Sequence, residues 1–355
     1  MRCSSLTDLP SPPHSKAGWP WTEESPQLSA TTPNGQPWPT ISVVTPSFNQ
    51  GRFIEAAIRS VLLQGYPNVE FFVIDGGSTD NTVEVIKKYE HCLSDWVSER
   101  DKGQADAVNK GWARSRGLIL AWLNSDDVYA PGAFSAVARA WCESHRGPGM
   151  VYGDALSTDI FLQPYKKKCM DHYSLRTMFL GKRMPQPAVF ITKTLFSRLG
   201  ALNEALFYSL DFEYFLRAWL EPESDNFCYV PRVLAYSRRY EDTKCQSGGW
   251  KRVEENTMVF KSIWNERMEE YHHSKLWRRA FAIALAGLAQ RHLENGSPLR
   301  ALHVYKEALH WSEKVVLKMV KAIPLVFIKR ARNRRLPWSL PPRAVSSSDI
   351  KTALH

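Results

Sequence analysis

The chain predicts an α/β fold built on a doubly wound, mostly parallel sheet flanked by helices, and three observations carry that prediction. Short apolar runs alternate with segments of helical period for about a hundred residues from Ile41, the pattern of successive strand–helix units. Several of these runs stop at small polar and acidic residues, and groups past the carboxyl ends of parallel strands line the crevice where such sheets bind ligands. One run, Leu118-Ile119-Leu120-Ala121-Trp122-Leu123, is apolar throughout and breaks off at Asn124-Ser125-Asp126-Asp127. Such a run fits a strand buried on both faces.

In chain order, the first strand is expected over 41–45, closing on Pro46-Ser47-Phe48-Asn49. Phe53, Ala57, Ile58, Val61 and Leu62 then recur at helical spacing. The second strand, 69–74, stops at Asp75-Gly76-Gly77-Ser78, and Ser78 to Asp80 can cap a helix over 81–89. A short strand at Trp96-Val97, a helix over 104–114 and the 118–123 strand follow. Pro131 then opens a helix with Phe134, Val137 and Trp141 on one face. From Met150 the pattern loosens into a mixed set, with strands at 150–152, 188–192, 227–230 and 233–236 and a helix near 211–220. Beyond Lys251 only helices are expected, among them 275–292 and 299–317, joined by Glu294-Asn295-Gly296-Ser297-Pro298. That pair is tetratricopeptide-like, but no second copy supports a repeat array.

A leader over 1–40, rich in Pro and Ser and without apolar period, is expected to be flexible. An α/β domain over 41–250 and a helical extension with a basic tail over 251–355 complete the organisation. Hydrophobic content of 44% and charged content of 23% are those of a soluble globular protein. The net charge of +10 is concentrated: between Lys314 and Ser348 there are nine Lys or Arg and no acid. A basic tail of this kind favours an anionic surface. The apolar residues beside it (Val315, Val316, Met319, Val320, Ile323) favour a membrane interface over nucleic acid, and no nucleic-acid partner is expected. Six cysteines without ligand spacing, and no secretory n- and h-regions at the start, point to free thiols in the cytoplasm. No window reaches the ~18 apolar residues of a membrane span.

Two adjacent carboxylates at a strand end repel each other unless a cation or a ring of donors occupies the site. A divalent ion carrying a phosphate is the simplest occupant. The alternative is a solvated β-turn, since Asn, Ser and Asp are turn formers. It loses here because other strand ends in the chain are also acidic. Neither G-x-G-x-x-G nor G-x-x-x-x-G-K-[ST] occurs, which disfavours a dinucleotide site or a P-loop. Phosphates would instead be neutralised by a carboxylate-held ion. Asp75 is suited to accept hydrogen bonds from a base or ribose, and Asp126 to hold metal. Asp101, Gln104, Asp106 and Asn109 form a further polar cluster.

The segment 41–49, Ile74-Asp75-Gly76-Gly77-Ser78-Thr79-Asp80-Asn81-Thr82 and Trp122-Leu123-Asn124-Ser125-Asp126-Asp127 resemble, in order and spacing, the successive motifs of family 2 glycosyltransferases with the GT-A fold. The resemblance covers about 41–240. It implies a nucleotide-sugar donor bound by Thr45, Pro46, Ser47, Asn49, Asp75, Gly76, Gln104, Asp106, Asn124 and Ser125, with Asp75 at the base. It also implies Mg²⁺ or Mn²⁺ at Asp126 and Asp127. Asn124 stands where the family's D-x-D has its first acid and can ligate through its amide oxygen.

Leu210-Asp211-Phe212-Glu213-Tyr214-Phe215-Leu216-Arg217 is similar to the family's acidic pair and aromatic helix, with Leu210 at the pair's first acid. Asp211 is then the catalytic base and Glu213 a weaker candidate. The structural alternative is that Asp211 is merely a helix N-cap. Tyr240 takes the place of a frequent His, while Arg238 and Lys244 are expected on the leaving diphosphate. The Q-x-x-R-W of processive synthases is absent. The implied reaction is an inverting, metal-assisted, non-processive transfer in polysaccharide or glycan assembly, onto a glycan or lipid-linked acceptor. It would be run by a cytoplasmic enzyme docked peripherally at the inner face of a membrane. A non-catalytic sugar-nucleotide-binding scaffold and a nucleotidyltransferase are the rivals.

Overall fold

The computed structural model describes residues 3–312, apart from 145–146, 148, 172, 180–181, 223, 242, 245–248, 267–274 and 295–296. The described residues fall into two compact units, one within Met1–His172 and Met184–Tyr240, the other within Tyr173–Arg183 and Glu241–Arg343.

The first unit is organised by β1 (Ile41–Ser47), all seven residues of which are buried. It is flanked in parallel by β2 (Val69–Asp75) and β4 (Ile119–Trp122), and β3 (Asp95–Ser98) extends the sheet beyond β2. Helices α1 (Ile54–Leu62), α2 (Thr82–Tyr89) and α3 (Gln104–Arg114) make the connections. At Gly111 of α3 a Cβ would come within 2.5 Å of the Val44 side chain, so the missing side chain lets the helix lie close on β1. The order 3-2-1-4 reverses direction at β1, which opens a crevice at the carboxyl ends of β1 and β4.

Beyond β4 come β5 (Val128–Tyr129), α4 (Ala133–Glu143), β6 (Met150–Thr158), β7 (Pro164–Lys168), α5 (Leu175–Phe179, in the second unit), β8 (Val189–Thr192), α6 (Lys193–Leu199), α7 (Leu210–Trp219) and β9 (Cys228–Arg238). The sheet runs β3-β2-β1-β4-β8-β6-β9-β5, with β7 paired to β6. This half is mixed: β8 lies antiparallel between β4 and β6, while β6 and β9 are parallel. The two strands expected over 227–230 and 233–236 are the single strand β9. Its register jumps from Gly153↔Val230 to Asp154↔Val233, so Pro231 and Arg232 bulge out of the ladder. Proline has no N–H to donate there, and a bulge accommodates it. Strands β5 and β7 carry no periodic signal, being short and decided by pairing, and the short helix α6 is opened by the Thr192 side chain, which accepts from the Leu195 N–H.

Residues 3–40 differ from the expected flexible leader. They hold little regular structure, yet Cys3, Leu9 and Trp38 join the core. Arg59, fully buried on α1, donates Nε to the Pro20 carbonyl (3.0 Å), Nη1 to Pro10 (2.8 Å) and Nη2 to Trp21 (2.8 Å). An irregular proline-rich segment leaves carbonyls without ladder partners, and one guanidinium with five donors satisfies three of them. Trp19 Nε1 adds a bond to the Tyr129 carbonyl at 2.7 Å.

In the second unit, α8 (Gly249–Glu266), α9 (Lys275–Glu294) and α10 (Pro298–Trp311) pack together. Phe281 meets Trp311 edge-on at 4.8 Å, and Lys261 pairs with Glu307 at 2.7 Å. The end of the helix expected to Leu317, and the basic tail from Lys314, lie outside the described residues. Among the described residues no helix is long and apolar enough to cross a membrane.

Candidate functional site

The loops after β1 and β2 are sewn together by polar side chains. Asn49 adopts a left-handed φ of 53°, which Asn tolerates better than most residues. Its N–H donates to Ser78 Oγ (2.7 Å) and its Oδ1 accepts from the Thr79 N–H (2.8 Å). The Gly51 N–H reaches Asp80 Oδ2 at 3.0 Å, and the Gln50 N–H reaches Thr82 Oγ1 at 2.9 Å. Beside this seam, Thr45 Oγ1 and Ser47 Oγ are buried with no hydrogen-bond partner among the described residues. Pro46 lies between them, in register with Ile74.

Asp75 is fully buried. Its Oδ2 accepts from the Gly77 N–H (3.2 Å), the Ser78 N–H (2.9 Å) and Ser98 Oγ (2.7 Å), and its Oδ1 from Ser78 Oγ (2.5 Å). Its carboxylate therefore organises the loop first, with acceptor capacity left mainly on Oδ1. A Cβ at Gly76 would sit 2.7 Å from Asp101 Oδ2, so glycine there is what admits Asp101. Burial pushes the Asp101 carboxyl upward. Asp106 stays below the usual range despite burial, because its Oδ2 accepts from the Lys102 N–H (3.0 Å) and pairs with Lys110 (3.2 Å). That carboxylate is engaged at the start of α3. Gln104 Nε2 donates to Asn124 Oδ1 at 2.6 Å, so a neutral amide pair occupies the position of the first D-x-D acid.

The adjacent acids at the end of β4 have different environments. Asp126 is half-buried and receives Tyr240 OH on Oδ2 at 3.0 Å. Asp127 is buried and accepts the Arg238 N–H on Oδ1 at 3.1 Å. Burial first, and then the neighbouring Asp126 charge, push the Asp127 carboxyl up to about 7. Arg238 is itself buried: Nη1 holds the Asp126 carbonyl at 2.6 Å, Nε the Ile160 carbonyl at 3.3 Å, and the guanidinium lies 4.9 Å from the Phe53 ring. It braces the acidic turn. The cation that sequence reasoning missed is Arg52, exposed and stacked over Phe53 (4.5 Å) and Tyr240 (4.8 Å). A basic residue directly after Gly51, between the first strand and its helix, was the available signal. Lys244 falls in the second unit.

Asp211 is the second residue of α7, and Ser209 holds the N-cap position. Oδ1 of Asp211 accepts from the Phe212 N–H at 2.7 Å. Glu213 is buried and clasped by Arg217, Nε to Oε1 at 2.6 Å and Nη2 to Oε2 at 3.0 Å. The Phe215 ring stacks on Trp122 at 5.9 Å, which registers α7 against the end of β4. Gln186, also missed, sits in the 3₁₀ turn Gln186–Ala188. Its Nε2 donates to the Trp122 carbonyl at 2.7 Å, while its Oε1 and Trp122 Nε1 are buried without partners among the described residues. No sequence period marks such a residue, since only the β8–β4 pairing brings it to the strand end.

Among the described residues, no group of three or more His, Cys, Asp or Glu side chains could hold an ion alone. Magnesium is commonly bound by one or two carboxylates, with phosphates and waters completing the shell. Asp126 suits that arrangement; Asp127, buried and protonating near neutrality, suits it less.

The family model described as glycosyl transferase family 2 matches residues 42–191. An uncharacterized glycosyltransferase of Mycobacterium tuberculosis is 32% identical over 51% of this chain and 70% of its own length. A PGL/p-HBAD biosynthesis glycosyltransferase of Mycobacterium bovis is 24% identical over 52% of this chain and 71% of the relative. The fold is shared with S. aureus TarS 1–349, crystallised in complex with UDP-GlcNAc. The TM-score is 0.59 at 16% identity, over 82% of this chain and 92% of that one.

Proposed function

We propose, since this chain belongs to glycosyl transferase family 2, that it moves a sugar from a nucleoside diphosphate to an acceptor hydroxyl with inversion, in glycan or polysaccharide assembly. One observation carries the assignment of roles. Of the two acids on α7, Glu213 has both carboxylate oxygens clasped by Arg217, and Asp211 lies in the first turn with Oδ1 on the Phe212 N–H.

In this reading Thr45, Ser47 and Asn49, with Asp75 and Gly76 behind them, form the nucleoside wall. Gln104, Asp106, Asn124 and Ser125 support the ribose side. Asp126, steadied by Tyr240 and by Arg238 through its carbonyl, would hold a divalent ion, with Asp127 beneath it. Such an ion supplies charge neutralisation for the diphosphate. Arg52 supplies a side-chain cation for the same leaving group. Gln186 Oε1 accepts a hydroxyl of the donor sugar. Asp211 takes the proton of the acceptor hydroxyl as its oxygen bonds to the anomeric carbon from the face opposite the breaking bond to the diphosphate. The nucleoside diphosphate leaves with that electron pair.

The test is a calorimetric screen of UDP- and GDP-sugars with Mg²⁺ or Mn²⁺, followed by NMR assignment of the product anomer. Donor binding with an inverted product is expected. A retained configuration overturns the Asp211 role, and binding without turnover on glycan or lipid-linked acceptors favours the scaffold.

A further inference from the structure

We propose that the β6–β7 hairpin is a docking surface for an anionic lipid bilayer. At its tip Ile160 and Phe161 are 42% and 68% exposed, large apolar side chains held outward. The tip is well ordered by hydrogen bonds: Asp159 Oδ1 accepts from the Phe161 N–H (2.8 Å) and the Gln163 N–H (2.9 Å), and the Asp159 N–H donates to the Gln163 carbonyl at 3.1 Å. Leu162 takes a left-handed φ of 66°, uncommon for a residue with a Cβ. The turn is thus built to present its apolar residues to the outside, and its own acid is closed over backbone donors.

Charge of one sign sits beside the apolar tip. Strand β7 pairs only with β6 among the described residues and carries Lys166, Lys167 and Lys168. No acid occurs from Ile160 to Met170. Lys166 and Lys167 are exposed, and Lys167 also reaches the buried Asp154 at 3.1 Å. Edge-strand lysines also deter strand addition, but that purpose does not call for an exposed Phe–Ile tip. Apolar residues flanked by lysines match an interface with anionic lipid, where rings enter the headgroup boundary and ammonium groups meet phosphates.

The surface adjoins the candidate site. The Ile160 carbonyl accepts from Arg238 Nε, and Arg238 Nη1 holds the carbonyl of Asp126. One side chain therefore separates the docking tip from the donor-side acid. Presentation of a lipid-linked acceptor there rests on the glycosyl-transfer reading above; the docking itself does not.

The experiment is co-sedimentation of the full chain with phosphatidylcholine vesicles, with and without phosphatidylglycerol, at low and high salt. Wild type is expected on anionic vesicles only, released by salt. Phe161→Ser should weaken the partition about tenfold, the scale of losing a buried aromatic side chain. Lys166→Glu should weaken it at least about fivefold, the scale of one lysine at such a surface. Both variants should keep the wild-type melting temperature and nucleotide-sugar affinity. The proposal is overturned if wild type ignores anionic vesicles or if both variants sediment as wild type does. It is overturned equally if Phe161→Ser loses binding of a soluble oligosaccharide but not of vesicles, which would make the tip a sugar platform. Failure of the transfer reading looks different: no nucleotide-sugar binding or turnover by wild type, with vesicle binding intact.

Discussion

The parallel half of the sheet and its mixed half solve the same problem by different means. In the parallel half, the polar residues after β1 and β2 are pinned by neighbours at adjoining strand ends: Asp75 receives Gly77 and Ser78 donors and the Ser98 hydroxyl at the end of β3, and Asn49 ties to Ser78 and Thr79. In the mixed half the decisive contacts cross long stretches of chain. Arg238 braces Asp126 over 112 residues, and Gln186 holds Trp122 over 64. The loops after β1 and β2 are therefore set by contacts between adjoining strand ends, whereas the mixed half depends on strands distant in sequence being in register. Perturbing the first is expected to cost binding and stability together, and perturbing α7 to separate chemistry from binding.

The largest expected effect tests that separation. Asp211→Asn removes basicity while keeping shape, so transfer should fall by roughly 10²–10⁴-fold, the span of a general base, with donor affinity unchanged by calorimetry. Full activity would return the base to Glu213 and erase the contrast between the halves. Glu213→Gln should act oppositely. It breaks the Arg217 clasp, so thermal unfolding should shift by the equivalent of about 1–3 kcal/mol while the turnover of folded enzyme stays near wild type.

Asp126→Ala should weaken donor binding about tenfold or more in Mg²⁺ or Mn²⁺, the scale of one charge-assisted contact of ~1.5–3 kcal/mol, and change nothing in EDTA. Equal affinity in metal would remove Asp126 from the site. Asp75→Asn tests the local half: its amide would face Ser78 donors, so melting temperature and donor affinity should fall together, by about 1–3 kcal/mol of stability. A variant that lost affinity at full stability would show Asp75 contacting the nucleotide rather than shaping the loop. The smallest effect is expected from Gln186→Ala, where the lost hydroxyl contact of ~0.5–1.5 kcal/mol should lower kcat/KM several-fold for the preferred sugar and less for others. Uniform loss across sugars would make Gln186 a brace for Trp122 alone.

Hydrophobic alternation is a local property, and for that reason the four parallel strands and their helices could be read directly. The helix over 104–114 agrees with α3 residue for residue. Polar residues at strand ends could also be read, because a buried run can end only where the chain turns back to water. Long-range pairing left no such trace. The bulge at Pro231 merged two expected strands into β9, and the buried Arg59 gathered the carbonyls of a segment whose composition suggested disorder.

What the sequence determined by itself is the α/β class, the succession of strands and helices through β4, and the identity of the acids at their ends. Period and turn chemistry are encoded in neighbouring residues. The tertiary structure alone decided how the polar side chains of the site are engaged: Asp75 by its loop, Asn124 by Gln104, Asp127 by burial beneath the Arg238 backbone, and Glu213 on α7 by Arg217. A carboxylate's chemistry depends on the donors and the dielectric around it, and those come from residues far away in the chain.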